Sequence, residues 1–270
     1  MIRVLFCGPD SESGGVANHT ISLADNLSRL GVKIIWHKFK GSNVSKFYNR
    51  TIGMLIQCLT QRKEYDIIHV QCSAGLGSFP SAITGALASF LLNKKFIFTY
   101  HNSKILYQRL FKICLRRADT IFLVSQLQKD LIQKYYPEMT RKVVTIANGF
   151  DQSKFCLENQ RECRESLRLL KNKKILLAIG NLLEVKGHRY LVEAMKIVKD
   201  KRKDVICIII GSGSLKQELN DQIMQLRLEK DIILTGGKPH DEIPTWMNAC
   251  DLFILPSLSE GNPTVMFEAL

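Results

Sequence analysis

Short apolar runs alternate with amphipathic segments along almost the whole chain. Residues 2–7 form one such run, closed by Gly8-Pro9, and read as a buried strand ending in a turn. Val16, Ile21, Leu23, Ala24, Leu27 and Leu30 then fall mostly at helical spacing, and Gly31 ends that segment as a glycine after a helix does. The alternation continues with strands near 32–37, 66–70, 95–100, 119–124 and 142–147 and helical segments between them. A turn-rich Asn148-Gly149-Phe150-Asp151 and a polar, partly helical stretch to about 172 interrupt it. A second series follows, with strands near 174–179, 205–210, 231–234 and 251–255 and helices near 188–199, 214–228 and 241–249. Strand–helix–strand order of this kind needs right-handed crossovers and gives parallel sheets covered on both faces. The expected class is α/β, with two doubly wound units in tandem. Small molecules bind such units at the carboxyl ends of the strands.

Composition narrows the class without changing it. The chain has 270 residues, 46% of them hydrophobic and 23% charged, which excludes wholesale disorder, collagen and coiled coil. Its length suits two domains, each able to bury a core. Charge is uneven: residues 1–155 hold 21 basic against 9 acidic residues, and the remainder holds 17 against 16. A one-sided positive field favours an anionic partner for the first half, although solubility alone accounts for such a field equally well. The eight cysteines form no C-x-x-C pair and no Cys/His cluster of zinc spacing, so they read as reduced core residues of a cytosolic protein. The amino terminus is a strand pattern, not a signal peptide. Residues 70–93 carry no charge, but Gln71, Pro80 and three glycines interrupt them, and no transmembrane helix is expected. The last residues, Phe267-Glu268-Ala269-Leu270, read as the opening of a helix without a stop signal, so the second unit is expected to be incomplete.

Two segments of the second half carry candidate chemistry. After the strand at 251–255 comes Pro256-Ser-Leu-Ser-Glu260-Gly-Asn-Pro-Thr-Val-Met-Phe-Glu268, with two carboxylates eight positions apart across a Gly/Pro loop leading into a helix. A carboxylate accepts from vicinal hydroxyls such as those of a ribose, while a glutamate in a first helical turn is usually only dipole compensation. In Ala178-Ile-Gly180-Asn-Leu-Leu-Glu-Val-Lys186-Gly187-His188 a strand ends at a glycine and a lysine precedes a second glycine at the head of a helix. A lysine there suits a diphosphate leaving group; standing alone it would be a solvated loop lysine.

Taken in order, these runs resemble a known family. Gly180 to Gly187, Ile-Gly211-Ser-Gly213, Thr-Gly236 to Glu242-Ile-Pro, Ala249 to Ser257 and Glu260-x7-Glu268 are similar to the donor domain of family 4 glycosyltransferases of GT-B fold. The first half agrees through Gly14-Gly15, Asp66-Ile-Ile-His69, Thr99-Tyr-His101, Ala118-Asp119 to Val124-Ser125, and Ile146-Ala-Asn148-Gly149-Phe-Asp151. The resemblance spans nearly all of the chain. It implies two Rossmann-like domains facing a central cleft, an acceptor-side domain over 1–155 and an incomplete nucleotide-sugar donor domain over 156–270. It implies retaining transfer of a sugar from a nucleoside-diphosphate-sugar, with that donor as substrate and neither cofactor nor metal.

The resemblance also assigns roles by position. Lys186 corresponds to the diphosphate-binding lysine, and Asn181 stands where a partner basic residue is common. Glu268 corresponds to the ribose-holding glutamate and Glu260 to the one contacting donor-sugar hydroxyls. Gly180, Gly187 and Gly211 belong to the donor-binding loops, and Asn262, Pro263 and Thr264 are expected against the sugar and phosphates. Gly14 and Gly15 correspond to the first-domain loop near donor phosphate and acceptor, and His101 to an active-site histidine. No nucleophilic carboxylate is evident in the first half, so same-face attack is favoured over a covalent intermediate.

Partners expected on this basis are a nucleotide-sugar and a glycan or lipid-linked acceptor, in surface-polysaccharide or glycoconjugate synthesis. The basic amphipathic run from Lys104 to Arg117 adds an anionic membrane surface as an open alternative, giving a cytoplasmic chain peripheral at the inner membrane face. Nucleic acid is not expected, for want of a recognition motif. Two rivals stay open. One is a sugar-nucleotide-binding module without catalysis. The other is a nicotinamide-dependent oxidoreductase, against which Lys216 stands where G-x-G-x-x-G needs its third glycine.

Overall fold

The computed structural model describes residues 1–9, 15–39, 43–72, 79–102, 105, 108–170 and 172–270. Contacts divide the chain after Asn148 into two compact units.

The first unit is built on a six-stranded parallel sheet of order β2-β1-β3-β4-β5-β6. Its strands are β1 (Arg3–Gly8), β2 (Lys33–Lys38), β3 (Ile67–Cys72), β4 (Lys95–Tyr100), β5 (Thr120–Leu123) and β6 (Val143–Thr145). Helix α1 (Gly15–Arg29) crosses from β1 to β2. From β2 to β3 the chain runs through α2 (Asn43–Tyr48), a π-helical turn (Asn49–Gly53) and α3 (Met54–Thr60). Helices α4 (Phe79–Leu91), α5 (Gln108–Arg117) and α6 (Gln126–Tyr135) make the remaining crossovers. The larger of its core clusters nests Phe96, Phe98, Tyr100 and Phe111 with Leu5, Ile68 and Ile121, and a smaller one gathers Val4, Phe6 and Ala24 with Ile34 and Trp36. The uncharged segment at 70–93 resolves into the end of β3 and α4, whose small residues Ala82, Ala86 and Ala88 are buried. No helix among the described residues is long and apolar enough to cross a membrane.

The second unit has a four-stranded parallel sheet of order β10-β7-β8-β9. Its strands are β7 (Lys174–Ile179), β8 (Val205–Ile210), β9 (Ile232–Gly236) and β10 (Leu252–Phe253). Between them lie α8 (His188–Lys201), α9 (Lys216–Gln225) and α10 (Ile243–Ala249), with α7 (Gln160–Ser166) before the sheet and α11 (Thr264–Glu268) after it. β8 is buried at all six positions, as an unbroken aliphatic run in a central parallel strand should be. The expected strand at 251–255 is shorter: at the sheet edge only Leu252 and Phe253 pair with β7. Apolar clusters lie on both sheet faces, one under α8 and α9 and one around Ile206, Ile208 and Trp246.

All eight cysteines are free, and six of them are buried. Cys156 departs from the core reading, being exposed.

Candidate functional site

In the second unit, the loops at the carboxyl ends of the four strands are tied to one another through backbone. Gly211 N–H donates to Gly236 O, Leu182 N–H to Ser212 O and Leu258 N–H to Val185 O, each at 2.9 Å. Two glycines permit this closeness. A Cβ at Gly211 would collide with the Gly180 carbonyl. Gly187 has φ +65° and lies against the Pro256 carbonyl, so a side chain there would be both strained and obstructed. The loop after β10 is thereby laid on the short 3₁₀ turn Glu184–Lys186.

That packing brings Lys186 and Glu260 together: Nζ donates to Oε1 at 2.6 Å. The Lys186 side chain is 26% exposed and that of Glu260 20%, so the pair is neither in bulk water nor sealed in the core. His188, the first residue of α8, is buried with Nε2 3.3 Å from the Gly180 carbonyl oxygen. Burial holds its pKa below the ordinary value, despite those carbonyl contacts, and the Lys186 charge lowers it further. A second pair forms at Glu268, whose Oε1 lies 2.9 Å from His240 Nε2 in the loop after β9. The Glu268 side chain is only 7% exposed. His240 also packs on the Phe155 ring, with centroids 5.4 Å apart.

The positions named from sequence therefore separate into groups. Gly180, Lys186, Gly187, Gly211 and Glu260 meet at the β7, β8 and β10 loops. Glu268 sits in α11, with His240 as its partner. Pro263 caps α11 and accepts from Met266 N–H, and Asn262 and Thr264 flank it, partly buried. Asn181 is exposed, and its carbonyl accepts from Leu183 N–H at 2.8 Å. His101 and Gly15 belong to the first unit. Gly14 lies outside the described residues, as do Lys104, Leu106 and Tyr107 of the basic run.

His101 follows β4 directly and is one member of a buried polar chain. Its Nε2 lies 2.7 Å from Gln71 Oε1. The amide nitrogen of Gln71 reaches His69 Nε2 at 3.1 Å, and Thr99 Oγ1 lies 2.7 Å from that same ring nitrogen. A carboxamide oxygen only accepts, so His101 carries its proton on Nε2. His69 Nε2 receives from two donors, so its proton is on Nδ1. Burial pushes the pKa of both histidines down to about 3, with neighbouring histidines as a lesser cause. Both are neutral at physiological pH. His19, on α1, packs edge-on against His101 at 5.1 Å between centroids, and burial lowers its pKa as well. Gln128 secures the strand end beneath His101: its amide donates to the carbonyls of Tyr100 and Asn102, and its oxygen accepts from Val124 and Ser125 N–H. Gly15 is the exposed first residue of α1.

Sequence reasoning missed Gln71, Gln128 and His240. Each meets its partner across 26 to 30 positions of chain, beyond the reach of local periodicity. The available signal was positional, since Gln71 and His240 both stand at or just past the carboxyl end of a parallel strand.

Comparison with known proteins gives the family and the fold. The family profile described as Glycosyltransferase Family 4 matches residues 38–154, and the one described as Glycosyl transferases group 1 matches residues 159–270. A putative teichuronic acid biosynthesis glycosyltransferase, TuaC, of Bacillus subtilis (strain 168) is 28% identical over 233 residues, covering 83% of this chain and 55% of that protein. The UDP-Gal:alpha-D-GlcNAc-diphosphoundecaprenol alpha-1,3-galactosyltransferase of Escherichia coli is 28% identical over 221 residues, covering 78% of this chain and 57% of that protein. This chain thus spans little more than half the length of these relatives. Among solved structures, sucrose-phosphate synthase from Thermosynechococcus elongatus superimposes with TM-score 0.80 at 15% identity, covering 100% of this chain and 79% of that one. Anabaena HepE in complex with UDP gives 0.73 at 18%, covering 100% and 78%. These likenesses show the fold, the α/β architecture with parallel sheets called GT-B. The chain belongs to the group 1 and family 4 glycosyltransferases.

Proposed function

We propose that the protein transfers a sugar from a nucleoside-diphosphate-sugar to a glycan or lipid-linked acceptor with retention of anomeric configuration, within surface-polysaccharide or glycoconjugate synthesis. The observation that carries this reading is the convergence of Lys186 and Glu260 at the carboxyl ends of β7 and β10. The second unit binds the donor. Lys186 supports the negative charge that grows on the diphosphate as the glycosidic bond breaks. Glu260 accepts from sugar hydroxyls, and Glu268, oriented by His240, accepts from the ribose. In the favoured step the acceptor hydroxyl oxygen attacks the anomeric carbon on the face the diphosphate is leaving. The bonding pair departs with the diphosphate oxygen, which takes the acceptor's proton. Neutral His101, fixed in one tautomer by Gln71, serves as a hydrogen-bonding contact to the transferred sugar.

Relatives support the class of substrate. HepE structures hold UDP and UDP with glucose, and the Escherichia coli galactosyltransferase is named for a diphosphoundecaprenol acceptor. Thermal-shift screening against UDP-, GDP-, ADP- and CMP-sugars tests the reading. Stabilisation by one member is expected, and stabilisation by none contradicts it.

An acceptor on a membrane fits the surface of the first unit. Along α2 and α3 the outward positions Val44, Phe47, Tyr48, Ile52, Ile56 and Leu59 are exposed and apolar. Between Asp66 and Asp119 the chain has seven basic residues and no acidic one. Helix α5 adds exposed Arg109, Leu110, Ile113 and Arg116. An exposed apolar stripe and a basic segment on the same unit suit an anionic lipid surface. Flotation with anionic vesicles is expected to carry the protein upward, and equal recovery with zwitterionic vesicles removes the idea.

A further inference from the structure

The Lys186–Glu260 pair has a consequence for what the donor site prefers. The carboxylate stands 2.6 Å from the ammonium that is to receive a diphosphate. It is held there by backbone: Leu258 N–H is bonded to Val185 O, and Gly187 lies against the Pro256 carbonyl. The two charges therefore cancel at the point of anion binding. A diphosphate that engages Lys186 must draw the ammonium from Glu260 or share it, and sharing sets two anions against each other. A sugar nucleotide brings hydroxyl donors that can satisfy the released carboxylate. A nucleoside diphosphate lacks the sugar hydroxyls and carries one further ionisable phosphate oxygen, so it leaves Glu260 unpaired against a greater negative charge.

We infer that Glu260 is the resting counter-ion of Lys186 and makes the site discriminate between the sugar nucleotide and the spent nucleoside diphosphate. The inference rests on the sugar-nucleotide reading above and adds a specificity to it. Glu260 both receives the sugar and penalises the site's occupation by product, so product release is driven by re-formation of the ion pair. The cost of an uncompensated carboxylate falls on the product complex alone.

The test is isothermal titration of wild type, Glu260→Gln and Glu184→Gln with two probes, UDP and UDP-glucose. Glu184 is a control of equal charge change on the same turn; its carboxylate lies 3.7 Å from Arg189, both side chains being largely exposed. Glu260→Gln is expected to bind UDP about fivefold tighter than wild type, from the release of a partly exposed ion pair. Its preference for UDP-glucose over UDP is expected to shrink. Glu184→Gln should match wild type for both probes. A gain of affinity cannot arise from misfolding, so the readout survives a destabilised variant. Unchanged or weaker UDP binding in Glu260→Gln, with wild type binding both probes, overturns this inference alone. Equal tightening in Glu184→Gln also overturns it, by showing a general field in place of a specific pair. Failure of wild type to bind either probe overturns the sugar-nucleotide reading for uridine donors, and this inference with it.

Discussion

At the amino ends of their strands the two units use the same device. In the first, Asp119 precedes β5 and accepts from the Phe96 N–H of neighbouring β4 at 2.9 Å. In the second, Asp251 precedes β10 and accepts from the Ile175 N–H of neighbouring β7 at 2.7 Å. Burial raises both carboxyl pKa values, but the backbone N–H and nearby cations outweigh it and leave both below the ordinary range. The carboxyl ends differ. The first unit places neutral groups there, in the chain His101–Gln71–His69–Thr99, of which the last three are buried and His101 partly so. The second places charged, partly exposed groups there, in Lys186–Glu260. A neutral hydrogen-bonded network holds its members in place, whereas a charged, partly exposed pair is open to an anion. The comparison teaches that scaffold chemistry repeats between the units while the polar groups at the carboxyl ends of their strands differ in charge and exposure.

Removing the cation should have the largest effect. Lys186→Ala is expected to lower transfer roughly 100- to 1,000-fold, the usual loss when one donor to a developing anion is deleted. Initial rates with saturating acceptor measure it, and a loss below tenfold would shift the leaving-group role elsewhere. The repeated device should itself break unequally. Arg164 reaches Asp251 at 2.6 Å with its side chain 10% exposed, whereas Lys95 reaches Asp119 at 3.0 Å from a 72% exposed position. Arg164→Met is expected to cost about 1–3 kcal/mol, because the buried guanidinium's bonds to Asp251 and to the Ala249 carbonyl are lost while Asp251 keeps the Ile175 N–H and Lys174. Lys95→Met should cost about 1 kcal/mol or less. Urea melts of the two variants, compared at equal m-value, would read the difference; equal costs would contradict the contrast.

Acid should distinguish the units as well. His69 and His101 bind a proton near 6.5 when unfolded and near 3 when folded. The stability they contribute is complete above about pH 6.5 and is lost as pH falls toward 3, at about 1.4 kcal/mol per pH unit for each group. Hydrogen exchange followed from pH 7 to pH 4 is expected to show β3 and β4 opening before β7 and β8, where only His188 is similarly lowered; the reverse order counts against the neutral network. The smallest effect belongs to a cap. Ser125 and Gln128 form a reciprocal capping box at the start of α6. Ser125→Ala should cost about 1 kcal/mol. Helix α8, entered through Gly187, has no side-chain cap to lose.

Much of the scaffold was legible because local pattern determines it. The runs at 174–179 and 205–210 match β7 and β8, since each is a mostly apolar run bounded by charge and glycine. The run at 251–255 was overextended, because an apolar sequence does not reveal that its strand has a neighbour on one side only. Ordered motifs single out Lys186 and Glu260 as candidates, but their pairing spans 74 positions and is set by tertiary packing. The apolar face of α2 and α3 was also hidden: outward Ile52 and Ile56 look like core residues until the structure buries Arg50, Met54 and Cys58 instead. Arg50 is buried over the Phe39 ring at 4.8 Å, an arrangement no charge pattern announces.

Photolabelling with an azido-uridine sugar nucleotide, followed by peptide mapping, tests most directly where the donor is held. The account predicts labelled peptides from the second unit, in the loop containing His240 or in the segment from Pro263 to Leu270, with labelling suppressed by unlabelled UDP-glucose and reduced in Lys186→Ala. Labelling confined to the first unit, or labelling in the second that Lys186→Ala leaves unchanged, would contradict it.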